Sequence, residues 1–395
     1  MRLVERHIIK DNRFEDICLK SGLLYNYVLY LVRQGIFNKE YLKEYDLSTK
    51  LGRENQFDFR NLPCNVSQQV VGQVFKSINS WIKLKKDFEK NPAKYNNCRP
   101  HLPSYKKGKK QNMVVFTTNT CRVKEGYIYF VKNIIQPIKT KIGDGKLCQV
   151  RIIPQATCYV VEVIYEKKEQ DLNLNKDNVL SIDLGLNNLC SCINNVEKQP
   201  FIVNGRIMKS FNQWYNKRKA KLMSFAGDKG TSKRLRQLNN YRNFWIEDHI
   251  HKVSRFVINY CVDNNIGSLV VGLNKGWKQE INLGKKTNQK FVEIPFSRLI
   301  DKISYKCKLV GISFYLSEES YTSKVDHLAF EELGKHDVYL GKRKQRGLFQ
   351  SSVNKLINAD INGAIGIGRK VFGDSYVSRI IDSGLAFNPI KVNIS

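Results

Sequence analysis

No CxxC pair occurs among the ten cysteines of this chain, which lie at 18, 64, 98, 121, 148, 158, 190, 192, 261 and 307. The closest two, Cys190 and Cys192, form a CxC. Neither a zinc ribbon nor a thioredoxin-type motif is supported by that spacing. Scattered thiols of this kind suit small buried hydrophobes in a reducing cytosol. There is no apolar run of about 18 residues, so nothing reads as a bilayer-spanning helix. The opening stretch "MRLVERHIIKDNRFED" lacks the apolar core of a secretory signal, and a cytoplasmic protein without membrane partners is expected. Acidic residues are scarce: 36 Asp and Glu stand against 66 Lys and Arg, a formal net charge of +30. No P-loop, catalytic Ser-His pairing or Cys-His dyad stands out.

What is present follows from that imbalance. A charge excess of this size predicts a polyanionic partner, nucleic acid before an anionic membrane surface. A length of 395 residues with 42% apolar content is enough for two or three domains with a sizeable core. "RLVERHIIKD" reads as a first strand. Residues 13–36 have helical spacing, and 65–90 form a second helix that Asn65 or Ser67 could cap. A Pro- and Lys-rich connection follows. "NMVVFTTNTCRV", "GYIYFVKN", "KLCQVRIIPQ" and "TCYVVEVIYEK" then give four strands of a small antiparallel barrel or sheet.

Beyond residue 177 the pattern changes. "VLSIDLGLNN", "LCSCINN" and "QPFIVNG" make a three-strand meander. A helical region over 207–263 follows, and residues 201–260 hold 13 Lys/Arg against 3 Asp/Glu, with Trp214, Tyr215, Tyr241, Phe244 and Trp245 interleaved. Such helices suit a nucleic-acid duplex. "IGSLVVGLN" is a fourth strand, 292–311 a helix, "ISFYLSEES" a fifth strand, and "NADINGAIGIGRKVF" a closing helix. This is the element order of an RNase H-like fold.

In that fold the fourth and fifth strands run parallel to the first, so their C-terminal ends meet at one sheet edge. Carboxylates there can share two Mg²⁺ ions about 3.5–4 Å apart, which stabilise the attacking and leaving oxygens of phosphodiester hydrolysis. Mg²⁺ takes hard oxygen ligands, so Asp and Glu are the required types. Asp183 ends the first strand and Asp360 opens the last helix. Taken singly, the first reads as a turn former and the second as an N-cap. The fourth strand offers Gly272 where a Glu would be expected. The adjacent Glu318 and Glu319, at the end of the fifth strand, are the substitutes within reach. Strand parity favours Glu319, which shares the more polar face with Ser313, Tyr315 and Ser317.

"SIDLGLNNL", "HKVSRFVI", "VVGLNKGWKQ", "SYTSK" and "NADINGA", in this order, resemble TnpB, the transposon-encoded, RNA-guided nuclease family of OrfB-type transposases related to type V CRISPR effectors. The resemblance implies an α/β multidomain chain. A wedge β-barrel domain (1–12 and 95–176) would be interrupted by a helical recognition domain (13–94). A RuvC nuclease domain (177–321 and 358–395) would carry a target-nucleic-acid-binding insert (322–357). It also implies a guide RNA, a target DNA with a short flanking motif, a monomer bound to RNA, Mg²⁺ at Asp183, Asp360 and a glutamate, and a place at the nucleoid. The sequence departs from the family twice. The second RuvC motif reads V-V-E-D-L in the family and has Gly272 here. The insert has Asp326, Ala329, Gln350 and Val353 at its zinc-ribbon positions, none of them Cys. No structural zinc is expected, and Asp326, His327, His336 and Asp337 lack the Cys and fixed short spacings of a closed site. Three functions remain: a guide-RNA-directed DNA endonuclease with a relocated glutamate, a nuclease-dead RNA-guided DNA-binding repressor, and a compact type V CRISPR effector.

Overall fold

The computed structural model describes residues 1–227, 230–273 and 294–394. The chain divides into two compact units, Met1–Lys168 and Glu169–Ser395.

In the first unit, β1 (Arg2–Ile9) alternates in exposure along its length, as a strand with one covered face should. The helices α1 (Glu15–Phe37), α2 (Glu44–Arg53), α3 (Phe57–Arg60) and α4 (Cys64–Lys90) follow. Neither Asn65 nor Ser67 caps α4. The helix starts earlier, behind Pro63, and the Ser67 hydroxyl donates to Phe59 O. The segment "NMVVFTTNTCRV" is two strands rather than one, β2 (Val114–Thr117) and β3 (Cys121–Lys124). Thr120 folds back onto Thr117 O through both its backbone N–H and its hydroxyl, which turns the chain between them. Then come β4 (Tyr127–Phe130), β5 (Ile138–Lys139), β6 (Lys146–Pro154) and β7 (Tyr159–Glu166). Where the sequence suggested one small antiparallel barrel or sheet, the strands form two antiparallel sheets, β1-β7-β6-β2 and β3-β4-β5. Helices and strands share one core: Val28, Leu29, Val70 and Val74 pack with Val114, Phe116, Val150 and Val161. Gly22 on α1 is required there, because a Cβ would fall 1.5 Å from Lys110 O.

The second unit begins with β8 (Asn175–Leu184), β9 (Asn188–Asn194) and β10 (Phe201–Asn204). The expected helical region is two helices, α5 (Arg206–Ala226) and α6 (Lys233–Asp263). After β11 (Ile266–Gly272) come α7 (Phe296–Val310) and β12 (Ser313–Ser317). The "NKGWKQ" part of the fourth-strand motif lies outside the described residues. The sheet order is β12-β11-β8-β9-β10, extended at the far edge by β16 (Ile390–Val392). β8, β9 and β10 are antiparallel, while β11 and β12 run parallel to β8. This is the RNase H-like order expected from the sequence.

Helices cover both faces, so the inner strands read as nearly continuous apolar runs, and β11 is buried at every residue. Leu180, Ile182, Leu269 and Val271 pack toward α6 and α7. Val179 and Val270 point to the other side, into the core of α8 (Ala359–Phe372) and α9 (Asp374–Ser383). Ser181 shares that side, its hydroxyl 2.6 Å from Tyr376 Oη. Between β12 and α8 lies a small antiparallel sheet of β13 (Lys342–Gln345), β14 (Leu348–Gln350) and β15 (Leu356–Asn358). Among the described residues no helix is long and apolar enough to cross a membrane.

Candidate active site

Strand register brings the first carboxylate to the edge. Val270 pairs with Ser181 and Val271 with Ile182, so the C-terminal ends of β8 and β11 are level. Asp183, two residues beyond Ser181, therefore faces α8. A Cβ on Gly363 of α8 would sit 3.0 Å from Asp183 Oδ2. Glycine at 363 lets the helix approach the carboxylate this closely.

Asp360 lies three residues before Gly363 on the same face of α8. It is not the helix cap. Asn358 takes that role, its Oδ1 accepting from the backbone N–H groups of Asp360 and Ile361. With Asn358 capping, the Asp360 carboxylate is available to the sheet edge. Its Oδ2 accepts a 2.6 Å hydrogen bond from Asn188 Nδ2 at the start of β9.

The two glutamates separate. Glu318 is exposed and Glu319 is half-buried. β12 ends at Ser317, so Glu319 arrives on the loop that follows. A Cβ built on Gly272 would fall 2.6 Å from Glu319 Oε1 and 2.8 Å from its Cγ. The Glu319 side chain thus fills the space that a side chain at 272 would enter. The loop is tied down at several points. Lys370 Nζ, from α8, donates to Glu318 O (3.0 Å), Ser320 O (2.7 Å) and Ser320 Oγ (3.2 Å). Thr322 Oγ1 donates to Glu319 O at 2.8 Å. Buried His327 then holds Thr322 O through Nε2 at 2.8 Å.

The Asp183 carboxyl feels both of the other carboxylates. Burial, followed by the negative charges of Glu319 and Asp360, holds the Asp183 carboxyl well above its usual range. The Leu184 backbone N–H and the Arg343 guanidinium on β13 oppose that rise. Burial pushes Glu319 up to about 7, with Lys370 pulling the other way. Groups held this way favour a compensating positive charge. Among the described residues, no three His, Cys, Asp or Glu side chains already form a set that could hold a metal ion. The donor chemistry, three carboxylates and no sulfur or imidazole, nevertheless fits a hard divalent cation.

At the positions expected to match a zinc ribbon, Asp326 is fully buried and its Oδ2 accepts from Ser351 Oγ (2.9 Å), Ser352 N (2.7 Å) and Ser352 Oγ (2.9 Å). Val353 is exposed and His336 bonds Glu332 O. The basic stretch "GKRKQRG" is the β13–β14 hairpin, with Lys342, Arg343 and Lys344 exposed.

Asn188, Thr322, Gly363 and Lys370 were not singled out from the sequence. Asn188 and Thr322 lie inside the quoted motifs "SIDLGLNNL" and "SYTSK". Lys370 carried no local signal, since its partners are backbone carbonyls some 50 residues away.

A carboxylate-bearing edge on this sheet order defines the RNase H-like class of domains. Two family models narrow it. Residues 161–278 match OrfB_IS605, described as a probable transposase, and residues 296–367 match the Cas12f1-like TNB domain. The likeness to TnpB read from the sequence is therefore borne out. Of solved structures, a Cas12f1–sgRNA–target DNA complex is similar in fold, with a TM-score of 0.52 at 14% identity, covering 90% of this chain and 81% of that one. The mini-RNA-guided endonuclease CRISPR-Cas_phi3 aligns over 99% of this chain and 94% of its own at 10% identity, with a TM-score of 0.45. No curated protein matches.

Proposed function

We propose that this chain is a guide-RNA-directed DNA endonuclease of a transposable element, acting in the cytoplasm at the nucleoid. Its second RuvC glutamate is relocated from the fourth strand to Glu319. The domain division set out from the sequence is part of this reading, including the recognition helices at 13–94 and the insert at 322–357. Guide RNA supplies sequence discrimination by base pairing, and the protein reads a short motif flanking the target. Support comes from the matched TnpB and TNB segments, and from the similar fold of a Cas12f1 chain that was solved with sgRNA and target DNA.

Asp183, Glu319 and Asp360 would hold Mg²⁺, which when bound stabilises the attacking and leaving oxygens of a phosphodiester. The chain's own residues do the rest. Asn188 fixes the rotamer of Asp360, Lys370 and Thr322 fix the loop that carries Glu319, and Arg343 offers positive charge beside Asp183. The single observation that carries the enzyme reading is the Glu319 side chain lying in the space belonging to position 272. A chain that had merely lost its glutamate has no reason to refill that space with another one. The nuclease-dead repressor keeps the absence of Glu at 272 in its favour, and the compact CRISPR effector keeps the TNB match.

A cleavage assay with the native guide RNA, a matched target and Mg²⁺ separates these. Wild type is expected to cleave. Asp183→Asn and Asp360→Asn are each expected to lose nearly all cleavage and keep guide-dependent DNA binding, without adding when combined. Binding without cleavage by the wild type would favour the repressor.

A further inference from the structure

Helices α5 and α6 build a column of aromatic rings. His249, buried on α6, stacks on Trp245 with centroids 5.1 Å apart and planes 7° from parallel. Trp245 stacks on Phe211 of α5 at 3.9 Å and 16°. Phe211 meets Trp214 at 5.6 Å and Tyr241 at 5.8 Å. Trp214 and Tyr241 touch each other edge-on at 5.9 Å. These last two rings end the column at the surface, 47% and 53% exposed. Below them His249 is buried and Trp245 and Phe211 are half-buried, so mutual packing explains these rings. A tryptophan and a tyrosine left half in water side by side, on top of an ordered stack, are not explained by core packing.

The charge around them points to the occupant. α5 carries six Lys and Arg and no Asp or Glu. Lys217 and Arg218 follow Trp214 by three and four residues, one turn along the same helix face. Rings with open faces beside a row of cations match a strand whose bases are unpaired and whose phosphates run alongside. A duplex, the occupant expected from the sequence, keeps its bases stacked inside; it suits the cations but offers such rings little. An apolar protein partner would not need this row of cations.

We propose that Trp214 and Tyr241 form a stacking platform for unpaired bases of a single-stranded nucleic acid, with the α5 cations taking its phosphates. This rests on the nucleic-acid-binding part of the function proposed above and is independent of the nuclease site.

The test uses the full chain, stripped of co-purifying nucleic acid, without divalent metal. Binding to a short labelled oligothymidylate is compared with binding to a blunt DNA duplex. Trp214→Ala and Tyr241→Ala are each expected to weaken single-strand binding by about 5- to 150-fold, the range of one lost base–ring stack. Duplex binding should be nearly unchanged. The salt slope should also be unchanged, because no phosphate contact is removed, whereas Lys217→Gln should reduce it by about one charge. Trp214→Phe should retain most of the affinity and lose the quenching of indole fluorescence that wild type shows on binding. That pair keeps the test decisive if an alanine variant misfolds. Equal losses on single strand and duplex, no loss on either, or no quenching in the wild type would overturn the platform. So would a change in oligomeric state on Trp214→Ala, which would assign the face to a second copy of the chain. A chain that binds no nucleic acid at all would overturn the broader reading as well.

Discussion

Glu319 and position 272 compete for the same few cubic ångströms, and that competition can be turned into chemistry. Gly272→Glu alone crowds Glu319 and Ile367, whose Cδ1 would lie 2.5 Å from the new Cβ. Overpacking of this kind costs about 1–3 kcal/mol. With Glu319→Ala the space opens, so the double variant Gly272→Glu/Glu319→Ala should recover part of the cleavage that Glu319→Ala loses. Recovery no better than the single variant would mean that the two positions do not serve one site. The raised Glu319 carboxyl gives a second test, on metal-free protein. Its value rises from the usual 4.5 to about 7 on folding. Well below pH 4.5 the group is protonated folded or unfolded, and the folded form carries no cost. As pH rises through 7 the folded state must bury a charge, so wild-type stability falls across that window. Glu319→Gln does not titrate. Its stability advantage should be near zero well below pH 4.5 and open to about 3 kcal/mol by pH 8. An advantage independent of pH would place Glu319 in water.

Elements set what these residues can do, and they differ in how far the sequence reveals them. The β8 and β11 ends could be read from apolar runs bounded by turn residues, because strands buried on both faces leave that signature. Asp360 was harder: an Asp at a helix start looks like a cap, and only the hydrogen bonds of Asn358 remove that reading. Parity pointed to Glu319, yet β12 stops at Ser317 and alternation has no force on a loop. What fixes the side chain is Lys370 and Thr322, contacts without sequence periodicity. The break of "NMVVFTTNTCRV" into two strands was hidden because Val and Thr, which favour strands, stand on both sides of the turn. In the insert, the Asp326 carboxylate gathers Ser351 and Ser352 by hydrogen bonds. Elemental analysis should find no stoichiometric zinc, and a chelator should leave the melting temperature unchanged. Asp326→Ala should destabilise the protein by about 1–3 kcal/mol, since it strands the buried Ser351 hydroxyl. One zinc per chain, lost together with stability on chelation, would contradict this.

The whole molecule is governed by its +30 charge. Such an excess is neutralised by phosphates, and each contact releases counterions. The purified protein should carry RNA, and its affinity for guide RNA should fall by orders of magnitude between about 50 and 200 mM salt. Salt-independent binding would contradict a backbone-dominated interface. Charge gathers nucleic acid but does not cut it, and in the proposed function cutting rests on the carboxylate edge. The most direct measurement is cleavage of a matched target by guide-loaded wild type and Glu319→Gln, with DNA binding recorded on the same samples. The Gln variant keeps the shape and loses the charge, so it should bind the target as wild type does and leave it uncut. Glu318→Gln, altering the exposed neighbour, should cut normally. Cleavage that survives Glu318→Gln and Glu319→Gln together would contradict a relocated glutamate.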